Sequence, residues 1–412
     1  MLDIKFIRDH IELVKQNCAN RHVKVDLEKL LALDEERRQL LKQAEELRAQ
    51  RNQKSKGKPT TEEIAKMRSV GEQIKQLETE LEKIEISYKE ELMKVPNLTH
   101  KDSPIGGEDD YKVIFKSHEN VQNFNFKPKD HEELLTENDL IDFERGAKVA
   151  GAKFYFTKNN LVRLNLALIN YGIDIVTKHG FTLMETPDLA KNEILTGIGF
   201  NPRGAETQVY SVENTDLSLV GTAEITVGGY HANEILDLSG GPKKYVALSH
   251  CFRTEAGAYG RTSKGLYRVH QFTKLEMFAY CQPQDSEKIH EEILEIEKEI
   301  ATGLGLNYRI IDIASGDLGG PAYRKFDVEA YMVMNQGYGE ITSCSNCTDY
   351  QSRRLNIKYR KENGETELVH TLNGTAVVLS RFPIAIIEQY QQADGSILIP
   401  KVLQPYCGLE KL

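Results

Sequence analysis

The sequence predicts an α+β protein in two parts, and three observations carry that prediction. A heptad-spaced apolar series, interrupted by one short polar breaker, fills residues 26–95. Further on, strand-like runs alternate with a few helices in no βαβ rhythm, which favours an antiparallel or mixed sheet with segregated helices. Residues 244–280 hold two runs rich in β-branched and aromatic residues around a glycine-punctuated centre with Arg261, Lys264 and Arg268. That is the pattern of a long antiparallel hairpin with a cationic loop.

The first element is an amphipathic helical pattern at Ile4, Ile7, Ile11 and Val14. It carries acids early and no long apolar stretch, so neither a signal peptide nor a transit peptide is expected. From Asp26 to about Gln53, the residues Leu30, Leu33, Leu40, Ala44 and Leu47 keep a 3-4 alternation that Arg37 breaks. After Ser55-Lys56-Gly57-Lys58-Pro59 the pattern resumes at Met67, Val70, Ile74, Leu77, Leu81, Ile84 and Tyr88, ending at Pro96. Two such helices joined by one turn make an antiparallel coiled-coil hairpin, each arm roughly 40 Å long at about 1.5 Å per residue. Residues 1–100 therefore read as a helical arm. Residues 101–115, aperiodic and containing Pro104 and Gly106-Gly107, read as a linker, and residues 116–412 as the large domain.

The chain has 53 basic and 62 acidic residues, a net charge of −9 that argues against indiscriminate nucleic-acid binding. The first hundred residues are nearly balanced, 20 Lys and Arg against 19 Asp and Glu, so the acidity belongs to the larger part. Arg48, Arg51, Lys54, Lys56 and Lys58 form an acid-free cluster at the far tip of the hairpin. Such a tip is either merely solvated or a site for phosphates, and the hairpin alone is either a spacer rod or a lever reaching a polyanion. No run of eighteen apolar residues exists, so no membrane span is expected. Six scattered cysteines point to a reducing compartment.

Period two in a strand places Arg253 and Glu255 on one face, and a nucleotide offers a phosphate to the first and base-edge donors to the second. Neither a Gly-x-Gly-x-x-Gly fingerprint after a strand nor a Walker A sequence occurs, and residues 260–265 are only a near miss. Any ATP site is therefore built differently. Cys344 and Cys347 lack a second ligand pair, so no zinc is expected. Thr222-Ala223-Glu224 reads by itself as a helix start. Arg381 precedes Phe382-Pro383, where Pro suits the first helical position and the helix dipole favours phosphate.

Phe252-Arg253-Thr254-Glu255, a loop, then Gln271-Phe272-Thr273-Lys274-Leu275-Glu276 resembles the second signature of class II aminoacyl-tRNA synthetases, in the form used by seryl-tRNA synthetases. Glu340-Ile341-Thr342-Ser343-Cys344-Ser345-Asn346-Cys347 resembles that family's Glu-(Ile/Val)-Ser-Ser-Cys-Ser-Asn-Cys block, with Thr342 in place of a serine. Leu372-Asn373-Gly374-Thr375 through Arg381 resembles the third signature, departing at Thr375, Ala376 and Ser380 from a frequent Asn-Gly-Ser-Gly and a Gly before the arginine. Residues 161–187 look like the first signature, a helix and strand used in a homodimer interface. The basic-tipped hairpin is similar to the family's arm, which grips the long variable arm of its tRNA.

The resemblance covers essentially the whole chain and implies a class II antiparallel-sheet catalytic domain. It implies ATP-dependent activation of L-serine to seryl-adenylate and transfer to the 3′ end of serine tRNA, with selenocysteine tRNA left open as a further substrate. Arg253 and Arg381 are implied as catalytic, the first bridging the serine carboxylate and the α-phosphate, the second binding the γ-phosphate. The ATP site would comprise Arg253, Thr254, Glu255, Val269, Phe272, Glu340, Ile341, Thr342, Ser343 and Arg381, with Phe272 stacked on adenine and Mg²⁺ held by Glu340 and Ser343. The serine site would comprise Thr222, Ala223, Glu224, Arg253, Glu276, Asn373 and Thr375. Buried Glu276 needs a compensating partner, which the substrate's ammonium and hydroxyl would supply. Arg48, Arg51, Lys54, Lys56 and Lys58 would meet tRNA. A homodimer in the cytoplasm is further implied. The alternative, a tRNA-independent amino-acid ligase on the same scaffold, should lack the basic-tipped arm. A pocket built for a hydroxyl rejects alanine by about 10⁴-fold, whereas threonine must be excluded by size.

Overall fold

The structure, a computed structural model, describes residues 1–53, 61–118, 124–200, 208–255 and 265–412. It divides into two compact units, Met1–Leu98 and Thr99–Leu412.

In the first unit the opening amphipathic run is two helices, α1 (Ile4–Asp9) and α2 (Ile11–Asn20), separated at His10, whose φ of −132° and ψ of 40° are not helical. Asp3 starts α1 by accepting the Lys5 amide at 2.7 Å. Helices α3 (Leu27–Gln53) and α4 (Thr61–Lys94) are the expected arms. Cross-pairs Lys29–Glu91 (2.6 Å), Arg37–Glu85 (3.3 Å) and Arg48–Glu78 (2.6 Å) run in opposite senses, which establishes the antiparallel register. Leu30, Leu40, Ala44, Ile74 and Tyr88 from the heptad series are buried between them. Arg37, which interrupts the series, lies 5.2 Å over the Tyr88 ring, so a cation–π contact replaces an apolar one at that layer. The predicted breaker, with Lys54, Lys56 and Lys58, lies outside the described residues.

The second unit is built on an eight-stranded sheet. Its strands are β1 (Lys112–Lys116), β2 (Thr182–Glu185), β3 (Lys243–Phe252), β4 (Gln271–Cys281), β5 (Tyr308–Asp312), β6 (Arg324–Met332), β7 (Gly337–Asn346) and β8 (His370–Val378). Their spatial order is β1-β5-β6-β7-β8-β4-β3-β2. Every neighbouring pair is antiparallel except β2 with β3. The predicted hairpin is β3–β4, in unbroken register from Lys243↔Tyr280 to Phe252↔Gln271.

Two expectations are corrected here. Residues 112–116, read as the end of a linker, are edge strand β1, paired with Asp312–Arg309. Four of its five side chains are exposed, so no alternation of polarity marks it in the sequence. Strand β3 stops at Phe252, so Arg253 and Glu255 are not strand neighbours; Glu255 takes φ +51°.

Helix α5 (Asn159–Lys178) buries Leu164, Leu168 and Ile175 against one face of the sheet, and helix α7 (Ser286–Gly303) adds Ile289, Ile293, Ile296 and Ile300. On β4, Leu275, Met277 and Ala279 point into that core, leaving Lys274 and Glu276 for the opposite face. Between the two in chain order lies α6 (Ala223–Gly229), and beyond α7 come α8 (Tyr350–Leu355) and α9 (Phe382–Tyr390). Among the described residues no helix is long and apolar enough to cross a membrane.

Candidate active site

The face of the sheet opposite α7 carries two adjoining cavities, of about 360 and 460 Å³, that share Phe200, Arg253, Lys274, Glu340, Ser343, Thr375 and Arg381. Strand geometry explains the gathering. On β8, Gly374 faces α7, where a Cβ would stand 2.3 Å from the Ile293 side chain. Its neighbours Asn373 and Thr375 therefore face the cavity. On β7, Val328 pairs with Thr342 but Glu329 pairs with Glu340, which makes Ile341 the extra residue of a β-bulge. The bulge shifts the side-chain alternation by one, so Glu340 and Ser343, three apart, both line the cavity along with Ser345 and Cys347.

In the first cavity Phe272 and Val269 form a buried apolar wall. The Arg253 guanidinium lies 5.3 Å over the Phe272 ring and donates through Nε to the Gly221 carbonyl at 3.1 Å. Arg268 reaches Glu255 at 3.3 Å. Arg381 pairs with the Glu340 carboxylate at 3.0 Å and lies 5.0 Å over the Tyr267 ring. Burial works against the charge of Glu340, but the Arg381 guanidinium and the Lys325 ammonium bring its carboxyl down to about 2. Arg381 precedes the first residue of α9, so Pro383 occupies the second helical position rather than the expected first.

The second cavity is lined by Thr222, Glu224, Glu276, Asn373 and Thr375. Thr222 does cap α6, its hydroxyl accepting the Glu224 amide at 3.2 Å, and it lines the cavity as well. Glu276, 2% exposed, pairs with Lys274 at 2.5 Å and accepts the Thr375 hydroxyl at 3.2 Å. Lys274 of the same strand is thus a compensating partner within the protein itself, besides the one expected from substrate. Burial, and then Glu276, raise the Glu224 carboxyl to about 7. Asn373 donates to Glu224 Oε1 at 3.0 Å.

Of the predicted site residues, Arg253, Glu255, Val269, Phe272, Glu340, Ile341, Ser343 and Arg381 line the first cavity. Thr222, Glu224, Arg253, Glu276, Asn373 and Thr375 line the second. Three do not come with them. Ala223 is fully buried in the core under α6, Thr254 lines neither cavity, and Thr342 turns to the other face, beside Glu297 of α7. Lys274, Tyr267 and Lys325 line the cavities without having been expected there, and Arg268, noted only as a basic loop residue, lines the first. Lys274 was detectable, since it stands two residues from Glu276 on one strand. In the arm, Arg48 shares its charge with Glu78 and Arg51 is exposed. Among the described residues no cluster of three or more His, Cys, Asp or Glu is arranged to hold a metal.

Residues 1–99 match the model of the seryl-tRNA synthetase N-terminal domain, and residues 208–390 that of the tRNA synthetase class II core domain (G, H, P, S and T). The chain is 52% identical to the serine–tRNA ligase of Treponema denticola and 48% identical to that of Rubrobacter xylanophilus, in each case over its whole length and 98% or more of the relative. Among solved structures it is similar to seryl-tRNA synthetase from Pyrococcus horikoshii complexed with ATP (38% identity, TM-score 0.91, 100% of this chain and 99% of that one). It is also similar to the cytoplasmic serine–tRNA ligase of Naegleria fowleri in complex with AMP (31%, TM-score 0.85, 100% and 98%). The chain belongs to the seryl-tRNA synthetase family of class II aminoacyl-tRNA synthetases.

Proposed function

We propose that the adjoining cavities hold ATP and serine side by side, and that the arm, residues 1–100, holds the tRNA that receives the serine. As a member of its family the chain is a ligase, and its chemistry is two successive substitutions. A serine carboxylate oxygen attacks the α-phosphorus of ATP, the bond to the bridging oxygen breaks, and pyrophosphate leaves. A terminal ribose hydroxyl of the tRNA then attacks the seryl carbonyl, and AMP leaves. The attacking carboxylate is already an anion, so positioning and charge neutralisation carry the reaction.

The observation that carries this reading is that Arg253 and Arg381, far apart in sequence, line the same pair of cavities. Arg253 stands between them and can span the serine carboxylate and the α-phosphate. Arg381 lies on the γ-phosphate side. Phe272 and Val269 are the adenine wall, with Glu255 at its edge. Glu340, kept ionised, and Ser343 offer hard oxygens on one face of the bulged strand, a donor set suited to Mg²⁺. Bound with the phosphates, that ion would neutralise their charge. On the serine side, the Glu224 and Glu276 carboxylates meet the ammonium and hydroxyl while Asn373 and Thr375 close the pocket.

Arg48 and Arg51, with Lys54, Lys56 and Lys58, are the proposed tRNA contacts. A homodimer is proposed through α5 and edge strand β2, where Val162, Leu166 and Leu183 are exposed apolar side chains. The proposed compartment is the cytoplasm, in keeping with six buried thiols. Amino-acid-dependent exchange of pyrophosphate into ATP, run with serine, threonine, alanine and glycine, tests the reading. Exchange with serine well above the others is expected. Exchange with another amino acid but not serine would overturn it.

A further inference from the structure

Glu224 does not stand alone at the serine cavity. Behind it, on α8, is Gln351, with no exposure to solvent. Its Nε2 donates to Glu224 Oε1 at 2.7 Å and to the Ile198 carbonyl at 3.1 Å. Its Oε1 accepts the hydroxyl of fully buried Thr371 at 2.6 Å. The orientation of this amide is fixed by chemistry. The Ile198 carbonyl can only accept, so the amide nitrogen must face it and Glu224, and the amide oxygen must face Thr371. Both N–H donors and one oxygen lone pair are then used. Since Asn373 also donates to Oε1, both amides hold the same carboxylate oxygen and leave Oε2 for a ligand.

We propose that Gln351, locked by Thr371, is a positioning residue that aims the Glu224 carboxylate at the serine ammonium. The proposal rests on the reading of this cavity as the serine site. Charged groups facing Glu224 come from several elements: Glu276 and Lys274 on β4 and Arg253 after β3. Burial and Glu276 favour the proton on Glu224, whereas Gln351, Lys274 and Arg253 favour its loss. Gln351 is the only one of these that touches the carboxylate through an uncharged donor with no freedom to turn. Removing it leaves the acid held by Asn373 alone and easier to protonate, so serine, but not ATP, should suffer.

The test is serine-dependent pyrophosphate exchange from pH 6 to 9 with wild type, Gln351→Met and Gln351→Glu, together with thermal unfolding and the KM for ATP. Loss of a hydrogen bond to a charged group predicts a serine KM about 10- to 100-fold higher in Gln351→Met near neutral pH, with the ATP KM within about twofold. Its pH midpoint for serine should move up. Gln351→Glu keeps the shape but must hold a proton to donate, so its serine affinity should fall as pH rises, opposite to wild type. An unchanged serine KM and pH profile in Gln351→Met overturns the proposal. So does equal damage to serine and ATP parameters with a lowered melting temperature, which would make Gln351 a packing residue. Failure of wild type to exchange with serine would instead overturn the reading on which the proposal rests.

Discussion

Arg48–Glu78 in the arm and Arg381–Glu340 in the sheet are the same chemical pair in opposite settings. The arm pair is half-exposed on both sides at 2.6 Å, whereas in the sheet pair the Arg381 side chain is mostly covered. Exposed pairs contribute on the order of 0–1 kcal/mol and weaken in salt. Arg48 can therefore release Glu78 for a phosphate at little cost. Arg381 is less free: it is tied to Glu340 and lies over the Tyr267 ring, so removing either member of the pair should cost more than it does in the arm. On the proposed reading, one region keeps its cations in reserve for a large polyanion, and the other commits them beforehand to a fixed geometry.

Breaking the committed side should have the largest effect. Arg253→Ala and Arg381→Ala should each lower serine-dependent exchange by about 10²- to 10³-fold, the scale of losing one preorganised charge-stabilising donor. A second, smaller effect comes from pH. The Glu224 carboxyl is raised to about 7 by burial and Glu276, so between roughly pH 4.5 and 7 the folded apo protein holds a proton that the unfolded chain has lost. Its stability should thus fall with rising pH across that window and level off above it. Serine's ammonium wants the carboxylate, so serine affinity should rise across the same titration, and Glu224→Gln should abolish that rise. Unfolding free energy and serine KM, each measured against pH, check the two signs. The smallest effect on the sheet comes from the arm. Arg48→Ala with Arg51→Ala should weaken tRNA charging and reduce its salt dependence while exchange stays near wild type; equal loss of both would make the arm a support for the fold.

The two regions also differ in how much of them the sequence discloses. In the arm the pattern from Met67 to Tyr88 repeats with the helix, so local spacing suffices, and even the lapse at Arg37 has a local explanation in Tyr88. The sheet is less legible because its faces are set by pairing. Strand β1 hides because its side chains are mostly exposed. Glu340 and Ser343 share a face only because Ile341 bulges, which no spacing rule foretells. Thr342, adjacent in the same string of residues, turns the other way, and Ala223 goes to the core beneath Thr222 and Glu224. Lys274 was visible two positions before Glu276. Gln351 was not, since its role depends on α6, α8 and β8 meeting in space.

The most direct measurement is ATP binding to the wild type, Arg253→Ala, Arg381→Ala and the double variant, each confirmed folded by its melting transition. If both guanidinium groups close on one triphosphate, each single change weakens ATP and the double change departs from the sum of the two. An unaltered ATP affinity in either single variant would contradict the account.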